Sequence, residues 1–99
     1  MIVWGGYLHD NNGNQFFNTG GRYEPGTDSW TASNITAAPS GRSEHIGVWS
    51  GSEMIVWGGG DQFDYFNTGG RYDPPTNSWV PTQTRFAPVG RREDRKSVV

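Results

Sequence analysis

Ninety-nine residues ordinarily make one small domain, here with 15 glycines, five tryptophans and only 18% charged residues. The net charge of −2 supplies no global field for nucleic acid, and the absence of cysteine excludes disulfides and thiolate metal sites. No run approaches the ~18–20 apolar residues of a membrane span. Met1 is followed by Ile2-Val3-Trp4-Gly5-Gly6 without a basic n-region, so no signal peptide is expected in these residues and the compartment stays open.

The chain repeats itself. Phe17-Asn18-Thr19-Gly20-Gly21-Arg22-Tyr23 returns identically as Phe66-Asn67-Thr68-Gly69-Gly70-Arg71-Tyr72, and Met1-Ile2-Val3-Trp4-Gly5-Gly6 returns as Met54-Ile55-Val56-Trp57-Gly58-Gly59. From residue 17 to 42 the copy lies 49 residues on, with 15 identities in 26 positions; for the block starting at Met1 the offset is 53. The difference of 4 falls in one connector, nine residues at 7–15 and five at 60–64, which reads as a surface loop. A period of about 50 residues is the signature of solenoids, propellers or arrays, whose units bury their apolar faces on one another.

In chain order, the first copy supplies three strands (b, c and d) between residues 1 and about 33, followed by a connector to residue 42. Residues 45–49 are rich in β-branched and aromatic side chains, and Ser50-Gly51-Ser52 makes them the first arm of a hairpin, strand a. Residues 53–57, short and apolar, read as strand b, buried on both faces. Gly70-Arg71-Tyr72 is strand c, ended by the turn Asp73-Pro74-Pro75-Thr76-Asn77. Ser78-Trp79-Val80 is strand d, and Pro81 suits an edge because it donates no ladder hydrogen bond. The first copy has no counterpart of strand a, so Met1 reads as an internal position of a longer parent.

These motifs reach a family. An apolar strand ending in Gly-Gly (54–59), then Tyr72-Asp73-Pro74-Pro75-Thr76-Asn77-Ser78-Trp79, and the element Gly41-Arg42-Ser43-Glu44-His45, resemble the Kelch repeat. The resemblance covers residues 1–91. It implies an all-β fold: an incomplete β-propeller of about two four-stranded antiparallel Kelch-type blades. The units would be a partial blade with its connector at 1–42 and a full blade with its connector at 43–91. Tyr23 and Tyr72, with Trp30 and Trp79, are expected to pack between adjacent blades, and Arg22 and Arg71 to bond within their own repeats.

Residues 92–99 break the pattern. The repeat calls for another strand a after Gly90-Arg91, but the chain reads Arg92-Glu93-Asp94-Arg95-Lys96-Ser97-Val98-Val99. Residues 94–99 back-translate to GAT CGG AAG AGC GTC GTG, which resembles the start of a common sequencing adapter. They are read as adapter read-through, so their charge carries no function.

No catalytic signature emerges. Asp10-Asn11-Asn12-Gly13-Asn14 has glycine at the fourth place, not the sixth, and Gly21 at the twelfth, so it reads as a polar turn rather than a calcium loop. His9 and His45 lack zinc spacing. Ser43-Glu44-His45 lies in no nucleophile elbow, and no helix follows Gly58-Gly59-Gly60 to hold phosphate. Asn34-Ile35-Thr36 matches a glycosylation acceptor, meaningful only in a eukaryotic secretory setting. Kelch-like copper-radical oxidases use a cysteine-linked tyrosine, and this chain has no cysteine.

The expected function is therefore a non-catalytic scaffold binding protein or glycan, without cofactor or nucleic-acid partner. The alternatives are a segment of a carbohydrate-active propeller enzyme and a two-blade unit that closes by self-assembly. Antiparallel alternation puts the b–c and d–a connectors at one end, so the recognition surface is placed there. Its candidates are Tyr7, His9 and Asp10 in one unit, Asp61, Phe63 and Asp64 in the next, with Arg85 and Phe86.

Overall fold

The computed structural model describes residues 1–84; Arg85, Phe86 and the tail read as adapter lie outside the described residues. The described chain is all-β, and its strands form three antiparallel sheets. In order these are β1 (Ile2–Trp4), β2 (Tyr7–Asp10), β3 (Gly13–Phe16), β4 (Gly20–Glu24), β5 (Ser29–Ala32), β6 (Ile46–Trp49), β7 (Met54–Trp57), β8 (Gly69–Asp73) and β9 (Ser78–Pro81). Among the described residues no helix is long and apolar enough to cross a membrane.

The four-stranded sheet runs β6-β7-β8-β9, and the three-stranded sheet β1-β4-β5 repeats its last three members. The registers are equivalent: Val3 faces Gly21 as Val56 faces Gly70, and Tyr23 faces Trp30 as Tyr72 faces Trp79. Glycine is required at one shared position. A Cβ on Gly20 would stand 2.0 Å from the Val3 carbonyl oxygen, and one on Gly69 1.9 Å from that of Val56. The turns also match. Asp28 and Asn77 take φ of 51° and 50°, a left-handed conformation that Asx residues tolerate, and each accepts the hydroxyl of the preceding tyrosine.

Three residues after β1, the connector is not a plain loop. It folds into the β2–β3 hairpin, with Tyr7 opposite Phe16 and Asp10 opposite Gly13. Apolar and polar residues do not alternate cleanly in this stretch, which hid the strands: the residues of β2, Leu8 among them, are exposed throughout. Residue 81 ends the edge strand β9, where a proline costs no ladder bond.

The core lies between the two larger sheets. Trp4, Val56, Tyr72 and Trp79 are buried, with Ile2, Ala38 and Met54 packed against them. The Trp4 and Trp79 rings lie 5.4 Å apart and those of Tyr72 and Trp79 5.0 Å apart. Gly70 leaves the space that the Trp79 indole occupies. Burying an indole removes ~150–250 Å² from water, or about 4–6 kcal/mol as an upper figure.

Three expectations are corrected here. β7 is not buried on both faces: Val56 is buried, whereas Met54, Ile55 and Trp57 are half-buried. Trp79 is 5% exposed but its counterpart Trp30 is 56% exposed, because among the described residues Trp30 packs on Tyr23 and meets no second sheet. Arg22 does not bond within its repeat. Its Nη1 donates to the Pro74 carbonyl of the other sheet at 2.8 Å.

Candidate functional site

The β2–β3 hairpin and the turn at 61–64 occupy the same place in the two repeats, and the fold brings them side by side. Asp61 shapes its turn: its Oδ1 accepts the amides of Phe63 and Asp64 at 2.8 and 2.9 Å, and its own amide donates to the Asp64 carbonyl. Those backbone bonds hold the Asp61 carboxyl below the usual carboxylate range. Phe63 stands at the tip, 78% exposed. In the hairpin, Asp10 accepts the Asn12 amide and so is committed to its own turn.

Asn14 joins the two elements. Its Oδ1 accepts from the Tyr7 hydroxyl at 3.0 Å and from His9 Nδ1 at 2.6 Å, while its Nδ2 donates to Gln62 Oε1 at 2.7 Å. The amide oxygen is an acceptor, so the His9 Nδ1 is the donor of this bond. Tyr7 also lies on Phe16, ring centroids 4.9 Å apart. Between hairpin and turn runs a cleft of about 240 Å³ lined by Tyr7, Asn14, Phe16, Asp61, Gln62 and Tyr65. Its floor is backbone: Gly60 exchanges both hydrogen bonds with Ser43 at 2.9 and 3.0 Å.

Of the sequence-based candidates, Tyr7 and Asp61 line this cleft and His9 reaches it through Asn14. Asp10, Phe63 and Asp64 are not among the residues that line it, and Arg85 and Phe86 fall outside the described residues. The connector at 34–39 is not gathered on this face. The Asn34 amide donates to Asn77 Oδ1 in the β8–β9 turn, and Pro39 lies against Gly70. Asn14, Gln62 and Tyr65 were missed, since pairing across repeats leaves no mark in either repeat alone. Among the described residues, no group of three or more His, Cys, Asp or Glu is placed to hold a metal ion.

Beneath the cleft, Arg42 locks the connector to the second sheet. It is 1% exposed. Its Nε donates to Ser40 O at 3.0 Å, its Nη1 to Gly58 O at 2.9 Å and Thr68 O at 2.7 Å, and its Nη2 to Ser40 Oγ and Thr68 Oγ1. The guanidinium carbon lies 4.6 Å from the Phe66 ring centroid. Burial pulls its pKa down to about 10. The repeated Gly-Arg at 41–42 and 90–91 was the available signal for this residue.

A larger, apolar cleft of about 480 Å³ opens elsewhere, lined by Met1, Ile2 and Trp4 on one side and Gly47, Trp49 and Met54 on the other. It runs along the edge of β1 that corresponds to the edge of β7 filled by β6. It is a gap in sheet packing whose lining is mostly apolar, His45 being the polar side chain among the lining residues. No protein-family model matches the chain and no curated protein matches it, so the family resemblance rests on the motifs themselves.

Proposed function

We propose that the chain is a segment of a Kelch-type β-propeller and serves as a non-catalytic binding scaffold, with its ligand taken in the cleft between the β2–β3 hairpin and the 61–64 turn. The observation that carries this reading is the Asn14 bridge. One amide ties Tyr7, His9 and Gln62 into a polar frame beside the exposed aromatic faces of Tyr7 and Tyr65. Aromatic faces flanked by fixed amides suit a glycan, which offers C–H faces for stacking and hydroxyls for hydrogen bonding, better than a broad protein surface. The stacked, repeat-related sheets support the propeller part of the reading, because a four-stranded antiparallel unit packing on its copy is how propeller blades bury their faces.

The test is a glycan-array screen of the 99-residue chain, followed by titration of any hit against Tyr7→Ala and Tyr65→Ala. Each should weaken binding about tenfold or more. Thr27→Ala and Ser52→Ala, on turns away from the cleft, should not change it. Equal loss from both sets would remove the assignment of the face, and a protein ligand insensitive to Tyr7 and Tyr65 would replace the glycan reading.

A further inference from the structure

We infer that this protein associates head to tail with a second copy of itself, the Val3–Tyr23–Trp30 face of one chain seating on the Ile55–Trp57–Arg71 face of the next. The template is the contact inside each chain. There Ile2, Trp4 and Arg22 of the three-stranded sheet meet Val56, Tyr72 and Trp79 of the four-stranded sheet. The repeat places the same two triplets at the outer surfaces. Ile55, Trp57 and Arg71 are the counterparts of Ile2, Trp4 and Arg22, and Val3, Tyr23 and Trp30 those of Val56, Tyr72 and Trp79. All six pairs are identical residues, so each end of the chain carries one half of the interface buried in its middle.

Exposure marks the difference. Val56 is 1% exposed and Val3 52%, while the same register holds around both. The polar contacts also transfer. Arg22 reaches the Pro74 carbonyl, and Arg71 would meet the equivalent Pro25 carbonyl of the neighbouring copy. Among the described residues Arg71 is held by a half-exposed ion pair with Glu53 at 3.5 Å, which is weak enough to yield. The Asn34 amide bonds to Asn77 Oδ1; its counterpart Gln83 would meet Asp28, where a carboxylate makes the acceptor stronger.

Because the two faces differ, the contact is heterologous and repeats, closing a ring or extending a fibre according to the rotation per step. It lacks the connector at 33–45, which within the chain supplies an effective concentration on the order of mM, and it lacks a counterpart of the Trp4–His45 edge contact. Association is therefore weaker than the internal packing and depends on concentration. It does not depend on the glycan reading, since neither face borders the ligand cleft.

Sedimentation velocity of the full 99-residue chain over a wide concentration range tests the inference, with circular dichroism confirming that each variant folds. The wild-type mass should rise with concentration. Trp30→Glu and Ile55→Glu should each weaken association about a hundredfold or more, as losing a central anchor does. Mixed in equal amounts, the two variants should recover a dimer and stop there, because each keeps the face the other has lost. If Ile55→Glu fails to fold, Arg71→Glu takes its place. A wild type that stays monomeric would overturn the inference and leave these faces to other chain segments. So would a variant that still assembles alone, since a two-fold contact uses one face twice.

Discussion

Replacing Arg42 by alanine removes the most connected buried side chain among the described residues. Five hydrogen bonds go with it, and the Gly58 carbonyl loses its guanidinium partner. Thr68 O keeps the Gly58 amide at 3.0 Å. Hydrogen bonds to a charged group are worth ~1.5–3 kcal/mol net, the stack on Phe66 adds about 1 kcal/mol, and the vacated volume costs more. Against this, alanine relieves the desolvation of a charge that no carboxylate among the described residues neutralises. The net expectation is a loss of about 3 kcal/mol, a large part of the ~5–15 kcal/mol that holds a domain folded. Urea unfolding followed by tryptophan fluorescence reads it directly. Arg42→Met separates the causes, since it keeps most of the volume without donors or charge, and it should recover about 1 kcal/mol. An alanine variant within about 1 kcal/mol of wild type would refute the role given to these bonds. A methionine variant as stable as wild type would mean that the bonds only offset the burial of the charge.

Trp79→Ala should cost ~3–5 kcal/mol in the same assay at dilute protein, whereas Trp30→Ala, at the identical repeat position, should cost less than about 1 kcal/mol; equal losses would contradict the single-core arrangement. Gly69→Ala should destabilise by more than about 2 kcal/mol because its Cβ would meet the Val56 carbonyl, whereas Gly47→Ala, with nothing within 4 Å of the new Cβ, should be neutral or slightly stabilising. Reversed signs in thermal melts would show that the close strand approach is misassigned. The lowered Asp61 carboxyl stabilises its turn fully above the ordinary aspartate value of about 3.9, and that stabilisation is lost as pH falls through the lower folded value. NMR titration of the Phe63 and Asp64 amides should show a midpoint below about 3.9 that Asp61→Asn abolishes. A midpoint at or above it would mean that the two backbone bonds do not persist in solution.

The repeat made the sheets legible because each strand is tied to its neighbours by local marks: glycine where carbonyl and Cβ would collide, Asx at the left-handed turn position, tyrosine opposite tryptophan. Those marks act within one repeat, so they read correctly from one repeat. The β2–β3 hairpin lacked them. Its residues show no clean apolar–polar alternation, and its pairing is held by Tyr7 on Phe16 and by Asn14, contacts with no periodic signature. Everything that crosses between repeats was harder still. Arg22 looked like a local bonder because nothing beside it names the Pro74 carbonyl 52 residues away. The cleft was half legible for the same reason: Tyr7 and Asp61 come from connectors that the offsets had marked as variable, but Asn14 and Gln62 matter only through each other.

Identical residues in the two copies therefore do unequal things, and the cause is topological rather than chemical. Trp30 and Trp79 sit in the same register, over the same glycine, against the same tyrosine. One is core and the other surface because, among the described residues, only the second sheet has a neighbour on that side. The same asymmetry reaches Thr19 and Thr68. Thr68 is half-buried under the Arg42 guanidinium, and Thr19 is exposed. In a stacked repeat the energy of a side chain belongs to the interface and not to the unit. Thus the face left open at each end follows directly from the contact made in the middle, and the variable hairpin, which lies outside both faces, is free to differ between copies without disturbing either.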